Sequence, residues 1–277
     1  MGKVLSDRQV AEFGRTGILS PLLGVGAVEA AGLLSQLEAL ERRDGGKLSP
    51  KSNHKPHLLL RRFADLVRDP RILDPVEDVI GPNIFCWSAG FFTKNPNDRA
   101  RVTWHQDSTY WGLSSPDVVT AWVAFTPSTV ETGCMRVIPG THLVDQLPHR
   151  ETYAADNLLS RGQEVEATVD ERQAVDVVLE PGQISIHHVR LIHGSEPNVG
   201  THRRIGYAIR YIPTYVRQTE GPRDCATLVR GVDTYHYFDA ELVPKADLDP
   251  EAVAYHKRVT EEAEKILYRG TDKRNPK

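Results

Sequence analysis

Between residues 84 and 212 the chain breaks into short runs of β-forming residues, each stopped by a turn signal, and few architectures accept that pattern. The runs are 84–94 (IFCWSAGFFTK), 118–125, 135–138, 174–179, 183–188 and 205–212. Pro96-Asn97, Pro116-Asp117, Pro139-Gly140, Pro181-Gly182 and Gly194-Ser195 punctuate them. Short strands separated by turns indicate a sandwich or barrel. The flanks read differently. Ser6 and Gln9 have the form of a capping box, and 28–43 carries apolar residues at helical spacing before Asp44-Gly45-Gly46. The first eighty residues therefore read helical, with 45–56 a polar, mobile loop and 70–80 a short helix ended by Gly81. Residues 150–167 read as an insertion between strands, and 249–267 as a helix. The expectation is a single mainly β (α+β) domain over 1–277: a helical N-terminal region over 1–82, a β core over 83–216 and a C-terminal extension over 217–277 with a helix.

Composition narrows the partners. Acidic residues slightly outnumber basic ones, 37 against 34 in 277 residues, which excludes the basic footprint of nucleic-acid binding. No apolar run approaches the ~20 residues of a membrane span. The start, MGKVLSDRQV, lacks the apolar region of a signal peptide, and its Met-Gly is supported as a lipidation signal only by Ser6. The three cysteines, Cys86, Cys134 and Cys225, are sparse and odd in number, so a reducing cytoplasm is expected and a disulfide framework is not.

The chemistry concentrates in TWHQDSTYW and RLIHGSEPN. Residues i and i+2 of a strand share a face, so His105 and Asp107 can present an imidazole nitrogen and a carboxylate oxygen together. His193, from a distant strand, would complete a 2-His-1-carboxylate facial triad, the ligand set of non-haem Fe(II) oxygenases, which leaves coordination positions open. A lone H-x-D carries little weight among 11 histidines, so the case rests on its surroundings. The run H-H-x4-H at 187, 188 and 193 could suggest zinc, but the four intervening residues would have to be helical and the segment is β-like. His187 and His188 are expected to pack or to support the ligands.

W-H-Q-D at 104–107, A-W-V-A-F at 121–125, G-C-M-R-V-I-P-G-T-H at 133–142 and H-G-S-x-x-N at 193–198 followed by R-R at 203–204 resemble the phytanoyl-CoA dioxygenase family of Fe(II)- and 2-oxoglutarate-dependent oxygenases. The resemblance covers roughly 80–215 and implies a double-stranded β-helix (jelly-roll, cupin-like) core. It implies His105, Asp107 and His193 as iron ligands. It implies Arg204 as the partner of the distal 2-oxoglutarate carboxylate, with Ser195, Lys94 and Trp122 beside the co-substrate. A guanidinium suits that task because it meets a carboxylate with a bidentate fork. Arg203 would face the other way in a strand. Related halogenases replace the ligand carboxylate with a small residue; here Asp107 is intact, which favours hydroxylation.

The resemblance further implies Fe(II), with 2-oxoglutarate and O2 as co-substrates, yielding succinate, CO2 and a hydroxylated product. The primary substrate is expected to be a small molecule, polar or anionic. Candidates to face it are His54 in KSNHKPH, Arg61, Tyr110, Trp111, Arg210, Tyr211 and Arg217. All four tryptophans, Trp87, Trp104, Trp111 and Trp122, fall in one short stretch and could wall the pocket, although filling a barrel core is the commoner role. Three other readings stay open: desaturation, epimerisation or cyclisation at the same iron, a metal-dependent hydrolase of cupin type, and a non-catalytic small-molecule binding protein.

Overall fold

The structure is a computed structural model that describes residues 2–273. In chain order its elements are α1 (Asp7–Thr16), β1 (Ile18–Leu22), α2 (Ala27–Arg43), α3 (Pro50–Asn53), α4 (Arg61–Leu66), α5 (Pro70–Ile80), β2 (Ile84–Lys94), β3 (Val102–His105), β4 (Val119–Ala124), β5 (Met135–Val137), β6 (His149–Glu151), β7 (Gln163–Val165), β8 (Val175–Val177), β9 (Ile184–His188), β10 (His193–Ser195), β11 (Arg204–Pro213), β12 (Cys225–Arg230), β13 (Asp239–Ala240) and α6 (Pro250–Leu267). Among the described residues the strands form a major sheet, β1-β9-β4-β11-β2-β12-β13, and a minor sheet, β3-β10-β5-β8. The minor sheet packs over the major one as the second layer of a jelly roll. Among the described residues no helix is long and apolar enough to cross a membrane.

Period-two alternation sorts the major sheet's residues between its two faces. On β11, Ile205, Tyr207 and Ile209 join the core cluster beneath the helices, as do Val119, Ala121 and Val123 of β4 and Ile184 and Ile186 of β9. The alternate residues, Arg204, Ala208 and Arg210 of β11, Thr120 and Trp122 of β4 and His187 of β9, face the minor sheet. Helices α2, α4 and α5 cover the first face. Phe63 of α4 anchors them, with its ring 5.2 Å from Tyr207, 5.3 Å from Phe91 and 6.1 Å from Phe125.

Three local expectations change. The N-terminal region is not wholly helical: α1 is capped reciprocally by Ser6 and Gln9, and then β1 pairs antiparallel with β9. β1 is an edge strand with a register irregularity between Leu19 and Leu22, so Pro21 sits there without costing a ladder bond. Gly194-Ser195 is not a turn but belongs to β10, where backbone pairing to both β3 and β5 outweighs turn propensity. Residues 150–167 carry most of the β6–β7 hairpin.

The supposedly mobile loop at 45–56 is also tied down. Ser49 caps α3, and Asn53 exchanges two hydrogen bonds with the backbone of Phe91. Lys55 is 1% exposed. Its amine donates to Glu241 Oε1 at 2.6 Å and to the Cys225 carbonyl at 2.9 Å. The other Glu241 oxygen meets His57 Nε2 at 3.2 Å and accepts from the Thr227 hydroxyl at 2.6 Å. The segment's second half is thus polar for internal pairing, whereas Lys47 and Lys51 remain exposed.

Candidate active site

His105 ends β3 and His193 begins β10, and the two are register partners across the minor sheet. Their rings lie 4.2 Å apart. Gln106 stays extended, so the alternation carries one residue past the strand and Asp107 returns to the face of His105 as it opens a 3-10 turn. Asp107 Oδ1 is 3.3 Å from His105 Nε2 and 4.0 Å from His193 Nε2. One ligand atom from each of the three residues lies within 4.8 Å of the others, and all three side chains are buried.

The outer nitrogens are fixed. His105 Nδ1 is 2.9 Å from the Thr103 carbonyl and His193 Nδ1 is 2.9 Å from the Leu191 carbonyl. A carbonyl accepts only, so each Nδ1 carries the proton and each Nε2 turns a lone pair toward Asp107. Burial pulls the His193 pKa down to about 3, keeping it neutral. Burial opposes the Asp107 charge, yet its carboxyl is held well below the usual range, with the Arg210 guanidinium favouring the ionised form. Two neutral imidazoles and one carboxylate are the donor set that fits a divalent first-row metal with open positions.

Lys94 and Arg204, the register pair at one end of the β2–β11 ladder, sit in the same interior. Both are buried, and among the described residues neither forms an ion pair. Lys94 Nζ donates to Ser195 Oγ at 2.7 Å and to the Glu196 carbonyl. Arg204 Nη2 donates to the Gly133 carbonyl at 2.8 Å, while its Nε has no partner. Burial, reinforced by the Arg204 charge, brings the Lys94 amine down to about 6, and burial brings Arg204 down to about 10. A buried guanidinium beside a buried amine, with no counter-ion among the described residues, is costly unless an anion arrives, and an anion would also draw the proton back onto Lys94. The Trp122 ring lies 5.4 Å from the Arg204 guanidinium and covers the backbone of Gly206, where a Cβ would come within 1.7 Å of the indole.

The triad, Ser195, Arg204 and Trp122 line one cavity together with Phe92, Thr120, His187 and Arg210. Arg203 points outward, as its strand position requires, and pairs with Glu41 at 2.6 Å.

The expected substrate residues separate. Arg210 lines the cavity, and Trp111 lies 5.6 Å above its guanidinium. Tyr110 lines a neighbouring cleft, with the Arg161 guanidinium 4.1 Å over its ring. His54 is turned toward α6, where its carbonyl accepts from His256. Arg61 binds the Lys245 carbonyl, Tyr211 the Val67 carbonyl, and Arg217 is exposed. The tryptophans separate too. Trp122 lines the cavity, Trp87 packs 5.1 Å from Trp111 and donates to Asp224, and Trp104 stacks under Arg136 away from the triad. His187 faces the cavity, 5.0 Å from His193.

Two contributors escaped the sequence. Gln106 is fully buried, donates to the Arg190 carbonyl and accepts from the Leu147 amide, so it pins the segments flanking both metal-facing residues. Its parity, opposite to His105, was the available signal. Gly133 holds φ +70° and offers its carbonyl to Arg204 and Lys94. Nothing local in the sequence marked that role.

Comparison with known proteins agrees with this geometry. Residues 37–206 match the family model described as phytanoyl-CoA dioxygenase (PhyH). A probable alpha-ketoglutarate-dependent hypophosphite dioxygenase of Stutzerimonas stutzeri is 29% identical over 216 residues, 75% of this chain and 70% of that protein. The apo structure of the non-haem monooxygenase ThoJ superposes with TM-score 0.83 at 33% identity, covering 93% of this chain and 96% of that one. CytC3 with Fe(II) and alpha-ketoglutarate gives TM-score 0.64 at 26% identity, covering 88% and 100%. The chain spans about half the length of the human and bovine phytanoyl-CoA dioxygenases it also matches.

Proposed function

Because the chain belongs to the phytanoyl-CoA dioxygenase family, whose cofactor is Fe(II) and whose co-substrates are 2-oxoglutarate and O2, we propose that it hydroxylates an unactivated C–H bond of a small polar or anionic metabolite. One observation carries the reading: a buried His-Asp-His cluster shares its cavity with the buried Arg204 guanidinium, which has no counter-ion among the described residues, and the Lys94 amine stands beside it on Ser195. In the balanced reaction, O2 places one oxygen atom in the product alcohol and one in succinate, and CO2 leaves.

Bound iron and 2-oxoglutarate supply the oxidising power. The chain supplies binding, orientation and exclusion of water. His105, Asp107 and His193 would hold the metal, with the histidine tautomers set by the Thr103 and Leu191 carbonyls. Arg204 and Lys94 would receive the distal carboxylate of 2-oxoglutarate, Ser195 would add a hydroxyl, and the Trp122 indole would keep water from that end. Substrate enters from the side of Arg210, Trp111 and Tyr110. The small anionic substrate is supported by Arg210 in the cavity and by the Stutzerimonas relative, whose name gives hypophosphite. Hydroxylation is supported by the intact Asp107 and by the monooxygenase named among the solved structures.

We read residues 1–277 as one oxygenase domain of a cytoplasmic enzyme. Three free, buried cysteines support the reducing compartment. The test is spectroscopic. Fe(II) and then 2-oxoglutarate are added to anaerobic, metal-free protein. A weak visible charge-transfer band is expected, lost in His193→Ala. Tight zinc binding with no such band would instead support a hydrolase or a binding protein.

A further inference from the structure

The interior face of the major sheet carries a row of polar residues, of which the reading above uses only Arg210 and assigns it no bound group. Arg210 of β11 pairs in register with Thr120 of β4, and Thr120 pairs with His187 of β9. The three side chains line the same cavity as the triad. Thr120 is 1% exposed and His187 2% exposed. Among the described residues, Thr120 Oγ1, both ring nitrogens of His187 and Arg210 Nε have no hydrogen-bond partner. Four unpartnered polar atoms side by side on a buried face are costly, since each has given up its water without gaining a partner. Their chemistry is uniform: a guanidinium fork, a hydroxyl and an imidazole can all donate to one oxyanion. Phe92 and Trp111, 5.8 and 5.6 Å from the guanidinium, hold it in place without neutralising it.

The row stands apart from the Lys94–Arg204 pair. On β11 the two arginines are six residues apart, roughly 20 Å of strand at about 3.3 Å per residue. Ala208 and the Trp122 indole occupy the space between. A five-carbon diacid seated on Arg204 leaves the Arg210 end of the cavity free. We propose that Arg210, Thr120 and His187 form a second anion site, which holds an oxyanionic group of the primary substrate and thereby fixes which C–H bond faces the triad. This rests on the oxygenase reading for the word substrate. The anion site itself stands on the row's geometry.

The test needs no iron. Methylphosphonate and acetate are titrated by calorimetry into metal-free, full-length Arg204→Gln, in which the other cation site is disabled, and into Arg204→Gln/Arg210→Gln. The single variant is expected to bind at least one probe, and the double variant to bind it at least about ten-fold more weakly, the loss of one charged hydrogen bond. The stronger probe distinguishes a phosphorus oxyanion from a carboxylate. Thr120→Val in the Arg204→Gln background keeps the shape and is expected to weaken binding several-fold, so it carries the test if the arginine variant fails to fold.

Absence of probe binding in Arg204→Gln, or equal binding in the double variant, overturns the proposal. So does a 2-oxoglutarate affinity on nickel-loaded Arg210→Gln as weak as that of nickel-loaded Arg204→Gln, because the row would then serve the co-substrate. Anion binding without a charge-transfer band would sink only the oxygenase reading.

Discussion

Replacing Arg204 separates ligand binding from stability in a way few buried substitutions do. Arg204→Met removes a buried guanidinium that has no counter-ion, so the metal-free fold loses a desolvated charge and little else. The Gly133 carbonyl keeps a donor in Lys94 at 3.4 Å. Thermal stability of the metal-free protein is therefore expected to hold or rise. Binding of 2-oxoglutarate behaves oppositely. Truncating one member of a buried charge pair costs 2–5 kcal/mol, and Lys94 still faces the carboxylate, so the lower end, about 2–3 kcal/mol, applies. At about 1.4 kcal/mol per ten-fold, the dissociation constant should rise roughly 30- to 150-fold. Calorimetric titration of nickel-loaded protein with 2-oxoglutarate measures it, and a melting curve measures stability. A constant within about three-fold of wild type would refute the reasoning, as would a parallel loss of nickel affinity.

Acid should destabilise the metal-free protein across a defined window. Burial brings His187 down to about 4 and His193 to about 3, whereas the unfolded chain takes up those protons near pH 6.5. Between those values the unfolded state binds more protons, so stability falls as the pH drops from 6.5 toward 4 and recovers on raising it. His187→Phe should make that dependence shallower by up to about 3 kcal/mol over the window, and an unchanged slope in urea titrations at several pH values would contradict it. Phe63→Ala should cost about 3–5 kcal/mol in urea denaturation, because it empties the centre of the aromatic cluster under the helices. The 2-oxoglutarate affinity of the folded variant should stay near wild type, since that cluster lies on the sheet face opposite the cavity, and a large loss would show that the two faces are coupled.

The core strands were legible because β-forming residues cluster in them between turn signals. Positions 84–94, 118–125 and 205–212, covered on both faces, show it best. What the sequence missed was set by distant pairing. β1 contains Ser20-Pro21 and exists because β9 needs an edge partner. β10 contains Gly194-Ser195 and exists because β3 and β5 flank it.

At the site, the parity of His105 and Asp107 survives even though Asp107 has left the strand, because Gln106 remains extended. The cations were harder to sort. Arg204 and Arg210 face inward by parity on one strand, whereas Arg61 and Arg217 lie in segments whose packing no local pattern discloses. His54 is the instructive case. Its charged neighbours suggested a wet binding loop, but Lys55 and His57 spend their polarity on Glu241, 184 or more residues away in the chain.

That Lys55–Glu241 contact also decides how the molecule can be dissected. It joins a segment before the first long strand to one after the last inward-facing strand, and both side chains are essentially sealed from water. A shortened fragment ending near Val216 would keep the lysine in its apolar seat without its carboxylate, and stranding one member of such a pair costs about 3–5 kcal/mol. That penalty is a large fraction of a typical domain's total stability. Limited proteolysis between Val216 and Glu241 should accordingly release no surviving half: once the two sides of the pair drift apart, sheet and helices are exposed together and digested together.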